Sequence, residues 1–356
     1  MTLKGQKNHY SIKFLKGYGH SISVKNSKII LKNNQDPFSK PETEEWHVNK
    51  MPYSKIVCSG KGYISTEALA LLSETNRHVI LLDTYGKPVT YLNPIKESNT
   101  ASKYRMGQYD TFRDESKRNY LARQITKAKI DSQIRFLESN DNSELSKGIE
   151  KLKKHRNEMS ENILHTEAVT SRIYFGAYSK LIPKRFEFHS RNSPLRIKKD
   201  RASDVINGLL NYGYTVLGGE ISKFVNGIGL DAYYGFSHRN HSSFQSLVYD
   251  LMEPFRWLVD YAVLRLVTQE SRHRISKKQY SHTRDGNIVF EYDLIKTFLE
   301  MLERTFHNER PYQFSHGKQR PDGLLMCQEI TIAKLTVQSL ADYCCQNSNC
   351  FFEDNR

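Results

Sequence analysis

The sequence predicts an α+β protein, with a β-rich N-terminal domain followed by a larger helical one. Three observations lead there. At 356 residues the chain exceeds what one small core holds, which suggests two domains. Residues 1–95 carry short β-branched runs separated by turn residues. Beyond a polar stretch at 93–101, Asn93-Pro94 followed by Glu97-Ser98-Asn99-Thr100, the character changes to long segments rich in Lys, Arg, Glu, Gln and Leu. The expected boundaries are 1–95 for the β-rich domain, 96–102 for a linker and 103–356 for the helical domain.

In the first domain, residues 21–24 and 28–32 flank a Lys25-Asn26-Ser27 turn, a hairpin signature. Residues 55–58 give another short strand, followed by Gly60, Gly62 and a helix start at Ser65-Thr66-Glu67, with a short helix over 68–73. Strands at 78–83 and 88–92 surround a Tyr85-Gly86 turn. This domain shows no chemical constellation and reads as scaffold or interface. In the second, residues 105–154 read as helices broken near Ser139-Asn140-Asp141-Asn142, their charges forming a solvated face. Residues 164–175, LHTEAVTSRIYF, continue as helix, and so do 204–217. Residues 182–201 form a loop holding seven Lys or Arg with two Phe, a composition that suits contact with a nucleic-acid backbone or simply a solvated loop. Further helices are expected to Gln269, over 293–306 and over 324–343, with an extended piece at 286–290 and a loop at 307–322. Cys344, Cys345 and Cys350 lack the C-x2-C spacing of a zinc knuckle and are not read as one.

Composition narrows the function. The formal charge of +14 points to a polyanionic partner, and the excess is spread along the chain rather than confined to a tail. Residues 1–95 hold 13 Lys and Arg against 7 Asp and Glu. No apolar run approaches the roughly 18 residues that span a bilayer, and no amphipathic basic anchor stands out, so nucleic acid is favoured over a membrane. The N-terminus lacks the apolar core of a signal peptide, and five cysteines make an odd count without a disulfide framework; both point to the cytoplasm.

The densest chemistry lies in residues 229–256, GLDAYYGFSHRNHSSFQSLVYDLMEPFR. His238 ends a Gly- and Tyr-rich turn. Asp250 and Glu253 stand at the start of an apolar helix, three apart and so on one face, with Ser246 or Ser243 as its cap and Pro254 loosening it. A carboxylate at a helix irregularity beside a loop histidine is half of a metal site; an acid in a helix's first turns is equally a partner for the helix dipole. Glu167, taken alone, reads as a surface acid.

Four fragments occur in one order: E-A-x-x-S-R-x-Y-F from Glu167, D-x-x-N-x-x-L-x-Y-G-Y from Asp204, G-L-D-x-x-x-G-F-x-H from Gly229 and S-L-V-x-D-L-M-E-P-F-R from Ser246. Together with K-I-V-x-S-G-K-G-Y-I-S-T-E-A-L from Lys55, they resemble the CRISPR-associated spacer-acquisition integrase family, the larger of the two universally shared CRISPR adaptation proteins. The resemblance covers nearly the whole chain. It implies an N-terminal β-sandwich, an all-α catalytic domain and a homodimer. It implies that Glu167, His238 and Glu253 bind one divalent metal, with Asp250 as an additional acid lining the site. Ala168, Ser237 and a second histidine, His241, depart from the family pattern without removing a ligand. Two carboxylates and an imidazole suit Mg²⁺ or Mn²⁺, the nitrogen favouring Mn²⁺. The implied partners are double-stranded DNA, as spacer precursor and leader–repeat target, and the small CRISPR adaptation protein. The implied reaction is attack of a DNA 3′-hydroxyl on the leader–repeat phosphodiester. A nuclease acting on branched or double-stranded DNA in repair, with water as nucleophile, is the alternative. Expected DNA contacts are Arg172 and Tyr212 near the DNA end, with Tyr214 beside them, and Arg191, Arg196, Lys198, Lys199 and Arg239 on the loops.

Overall fold

The computed structural model describes residues 12–33, 41–75, 77–83, 88–92, 99–191, 202–237, 245–268, 275–284, 286–313, 324–346 and 351. Six strands open the chain: β1 Ile12–Lys25, β2 Lys28–Asn33, β3 Glu42–His47, β4 Lys55–Ile64, β5 His78–Leu82 and β6 Pro88–Leu92, with helix α1 Thr66–Glu74 between β4 and β5. They form one mixed sheet in the order β3-β2-β1-β4-β5-β6, in which β4 runs parallel to both β1 and β5. The expected hairpin is present. Lys25 pairs with Lys28, and Asn26 and Ser27 both take positive φ, 50° and 58°, as a two-residue turn matched to strand twist demands. Alternation then sends Leu15, Ile22, Ile29, Leu31 and Ile56 into a core that Ala68 and Leu72 of α1 complete. Ser65 caps α1 by accepting the Ala68 N–H.

Two strands are longer than the sequence suggests. β4 continues through Gly60 and Gly62 to Ile64, because β1 runs beside it and supplies hydrogen bonds over the whole length. A Cβ on Gly60 would lie 2.6 Å from the Gly17 carbonyl oxygen, so these glycines serve close approach of the two strands rather than chain termination.

Helices dominate the remainder: α2 Asn99–Arg113, α3 Glu115–Glu138, α4 Ser146–Asn157, α5 Ile163–Tyr178, α6 Val205–Ile228, α7 Ser246–Met252, α8 Arg256–Thr268, then strands β7 Tyr280–His282 and β8 Ile288–Phe290, helix α9 Tyr292–Phe306, strands β9 Glu309–Gln313 and β10 Leu324–Gln328, and helix α10 Glu329–Cys344. A sheet-bearing N-terminal region followed by mostly helix is the α+β class expected. The break between α3 and α4 falls at the expected Ser139–Asn142 polar stretch. α2 begins at Asn99, so the last residues of the expected linker are helical. Residues 324–328, expected to begin the last helix, instead pair as β10 with β9 inside the expected loop. The Arg310–Glu329 ion pair at 2.7 Å fixes that ribbon where α10 starts.

Contacts group the chain into two units that interleave in sequence. One comprises 1–95, 196–219 and 275–303; the other comprises 96–195, 220–274 and 304–356. In the first, Lys55 and Glu303 form an ion pair at 3.4 Å with both side chains buried, and the Lys16 ammonium donates to the Phe290 carbonyl. In the second, α3 packs against α4, α5 and α8.

Candidate active site

The second unit gathers the candidate acids around α3. This helix is buried along much of its length, and among its apolar residues it carries Lys129, only 4% exposed. A lysine so buried requires partners. α5 brings the first. Asn162 caps the helix by accepting the His165 N–H, and Thr170, Tyr174 and Tyr178 line its buried face. The Tyr174 hydroxyl donates to Asp260 Oδ2 at 2.6 Å and the Tyr178 hydroxyl to the Asp260 carbonyl at 2.9 Å, which sets the rotation of α5 against α8. Glu167 is thereby turned to α3, where its Oε1 receives the Lys129 ammonium and, at 3.2 Å, the Ser171 hydroxyl.

The second partner comes from the break between α7 and α8. The apolar run expected as one helix is two, joined by a 3₁₀ turn at Glu253–Phe255. Pro254, which has no N–H to give the helical ladder, sits inside that turn as the sequence suggests. Glu253 is buried, with Oε2 2.8 Å from the Lys129 ammonium and Oε1 2.9 Å from the Arg256 guanidinium. Glu167 and Glu253, 86 residues apart in the chain, therefore meet on one ammonium.

Asp250 and Glu253 are three residues apart yet do different things. Asp250 is fully buried, and its Oδ2 accepts the backbone N–H groups of Phe236 at 2.5 Å and Ser237 at 2.9 Å. Ser246, expected as a helix cap, is instead the first residue of α7, behind Gln245. Its hydroxyl accepts the Gly235 N–H at 2.9 Å and donates to the Tyr233 carbonyl at 2.5 Å. Gly235 has to be glycine: a Cβ there would lie 2.7 Å from Asp250 Oδ2. From the other side, α2 holds the same loop. The side-chain amide of Gln108 donates to the Asp231 and Tyr234 carbonyls, both at 2.9 Å, and accepts the Asp231 N–H at 2.7 Å. The Tyr109 phenol, pushed up to about 12 by burial and by the Asp231 carboxylate, donates to that carboxylate at 2.7 Å. The loop is thus tied to α2 and α7 up to Ser237, and His238 is the next residue.

His238, Arg239, His241, Arg196, Lys198 and Lys199 lie outside the described residues. Of the remaining expected DNA contacts, Arg172 is exposed on α5 and Arg191 stacks over the Phe175 ring at 5.8 Å. The expectation for Tyr212 gives way to core packing. It is 4% exposed with its ring 5.9 Å from that of Phe290, and burial raises its hydroxyl to about 12. Tyr214 is likewise buried. Sequence reasoning missed Lys129 and Gln108 altogether as parts of this region, and gave Ser246 the role of a helix cap rather than of a tie to the loop.

Chemically, two carboxylates that converge on one positive charge form a cation site with hard oxygen donors, which fits Mg²⁺ or Mn²⁺. Among the described residues no three His, Cys, Asp or Glu side chains cluster in ligating geometry. A cavity of about 480 Å³ opens beside Phe236 and Ser237, with Arg118, Asn119 and the start of α5 in its wall.

The chain matches the family described as CRISPR associated protein Cas1 over residues 14–304. It is 32% identical over 277 residues to a CRISPR-associated endonuclease Cas1 of Archaeoglobus fulgidus, covering 71% of this chain and 76% of that one. It is 28% identical over 292 residues to a CRISPR-associated protein Cas1 of Methanobrevibacter ruminantium, covering 76% and 83%. Among solved structures it is similar to a casposase bound to integration product, with TM-score 0.81 and 26% identity over 96% of this chain and 92% of that one. It shares the fold of a CAS1 protein from Thermotoga maritima, with TM-score 0.73 and 15% identity over 96% and 100%.

Proposed function

The chain belongs to the CRISPR-associated Cas1 family, and on that premise we propose that it is a divalent-metal-dependent DNA integrase of CRISPR adaptation. It joins the 3′-hydroxyl ends of a short duplex to the strands of the leader–repeat DNA. The observation that carries this reading is the convergence of Glu167 and Glu253 on one cation, beside the loop that leads into His238. Glu167, His238 and Glu253 are the residues that would hold the ion, two oxygens and one nitrogen, a set that accepts Mg²⁺ and favours Mn²⁺. When bound, such an ion polarises the scissile phosphodiester and stabilises charge on the departing oxygen.

The protein's own groups supply the rest. Asp250 and Gln108 hold the histidine's loop at both ends of its described part, and Arg256 neutralises the second oxygen of Glu253. Exposed Arg172 and the overall charge of +14 favour phosphates near the site. In strand transfer the attacking 3′-oxygen gives up its proton and forms a new P–O bond to the repeat's 5′-phosphate, as the 3′-oxygen of the nucleotide flanking the repeat leaves and is protonated. One phosphodiester replaces another, and no energy cofactor is needed. A casposase bound to integration product is the structural relative that supports this reaction class. Working as a homodimer together with a Cas2-type partner belongs to the same proposal; one solved relative of the same fold is a Cas6-RT-Cas1–Cas2 complex.

Hydrolysis is the second reading, favoured by the curated relative's name as an endonuclease. One experiment separates the two. Purified protein, the small partner, a labelled duplex and a supercoiled repeat-bearing plasmid are combined with Mn²⁺. Label should join the plasmid only when the duplex carries free 3′-hydroxyls, and Glu253→Gln or His238→Ala should lower joining by about 10²-fold or more while DNA affinity stays near wild type. Nicking that ignores blocked 3′ ends would make hydrolysis the chemistry. Undiminished joining by either variant would remove the site assignment.

A further inference from the structure

Lys129 touches the same oxygens that a metal would use. Its ammonium is bonded to Glu167 Oε1 and lies 2.8 Å from Glu253 Oε2, and its side chain is only 5% exposed. Glu253 is as deeply buried, while Glu167 keeps 30% of its side chain open to solvent. Without a cation between them, two carboxylates at this separation repel strongly, because low-dielectric surroundings screen them poorly. With the ammonium present the group is balanced: two carboxylates face Lys129 and Arg256. A divalent ion on those oxygens would stand within a few ångströms of the ammonium. The two cations cannot both hold the pair.

We infer that Lys129 is a resident cation. It holds Glu167 and Glu253 together in the metal-free protein, and the entering divalent ion displaces it from their oxygens. Lysine suits this exchange better than arginine: its charge is compact and its four-carbon stem can withdraw, whereas a guanidinium fork would bind both carboxylates rigidly. The site is thereby preformed without metal, and metal affinity is lower than that of the same ligands without an internal competitor. This inference deepens the proposed metal site and rests on it.

The test uses the full chain and Mn²⁺ titrated calorimetrically, with thermal melts in chelator and in Mn²⁺. Lys129→Met, similar in length but uncharged, should bind Mn²⁺ roughly tenfold or more tightly than wild type. It should also melt lower in chelator and gain more from the ion. Lys129→Arg, which keeps the charge, should not bind more tightly than wild type. Amine acetylation followed by mass spectrometry gives a readout on the unmodified protein. Saturating Mg²⁺ should raise labelling of Lys129 several-fold while Lys55, paired with buried Glu303, stays protected. Wild-type binding that is lost in Glu167→Ala but unchanged or weakened in Lys129→Met would overturn the role of Lys129 alone. So would labelling of Lys129 that ignores the metal. Binding indifferent to Glu167→Ala and Glu253→Ala would instead overturn the metal site, and this inference with it.

Discussion

At the scale of single residues, the histidine's loop depends on groups that are not themselves reactive. Gln108 is fully buried and makes three hydrogen bonds to the backbone at Asp231 and Tyr234. Truncating it removes all three, leaving the Asp231 N–H and the Tyr234 carbonyl without this partner while the Asp231 carbonyl keeps the Tyr234 N–H at 3.4 Å, and each lost bond costs about 1 kcal/mol. Gln108→Ala should therefore lower stability by roughly 2 kcal/mol or more, read in a urea melt. It should also weaken Mn²⁺ binding, because the loop entering His238 is then tied to α2 only through Tyr109. Unchanged metal affinity in a destabilised variant would confine Gln108 to a structural role. Of the two proposed ligand acids, Glu253 stood out locally at a helix irregularity beside a loop histidine, whereas Glu167 was legible only through the four ordered motifs, since alone it looks like any surface acid. Lys129 was not legible. It sits on a helix among other charged residues, of which Arg123, Lys127 and Asp131 are half-buried and Arg135 is exposed, and nothing local distinguishes the one lysine turned fully inward. Asp250 was noticed, but that it grips backbone N–H groups rather than facing its neighbour Glu253 follows from the loop's position, a long-range fact.

At the scale of elements, the close pass of β1 and β4 is the most demanding feature of the sheet. A Cβ on Gly62 would lie 2.2 Å from the His20 carbonyl oxygen and 2.5 Å from its ring, at the register shift between Tyr18 and His20. His20 is itself buried, and that burial pulls its ring below the ordinary histidine range. Backbone cannot yield as a flexible side chain would, so Gly62→Ala should cost roughly 1–3 kcal/mol by chemical denaturation. Neighbouring Tyr63, 59% exposed, should tolerate alanine with little change. A Gly62→Ala protein as stable as wild type would mean that the strands separate easily. The Asn26-Ser27 hairpin was legible because turn chemistry is local. The same logic failed at Gly60 and Gly62, where glycines that resemble a stop are spacers for a partner strand more than thirty residues away in sequence. It failed again at β10, since an apolar run that leads directly into a helix carries no mark of whether helix or ribbon will claim it.

At the scale of the molecule, the charge of +14 is spread along the chain rather than confined to a tail. Binding to nonspecific duplex DNA should fall steeply with salt, with a log–log slope of roughly −4 if about five phosphates are neutralised. The slope should be the same for Glu253→Gln, because that change touches the reacting centre and not the phosphate track. A flat salt dependence would argue against an electrostatic DNA surface. Basicity and the α+β class were legible from composition and pattern, whereas the interleaving of the units was not, because it depends on contacts that no local signal reports. That interleaving bears on how the protein is made. Synthesis delivers residues 1–95 first, yet their unit also needs 196–219 and 275–303. Until Glu303 leaves the ribosome, Lys55 lacks the carboxylate that accompanies it in the finished interior, and Lys16 lacks the Phe290 carbonyl. The sheet and its own core lie within residues 12–92, but the unit they open is complete only once residue 303 has been made, so its later-packed faces stay uncovered through much of translation.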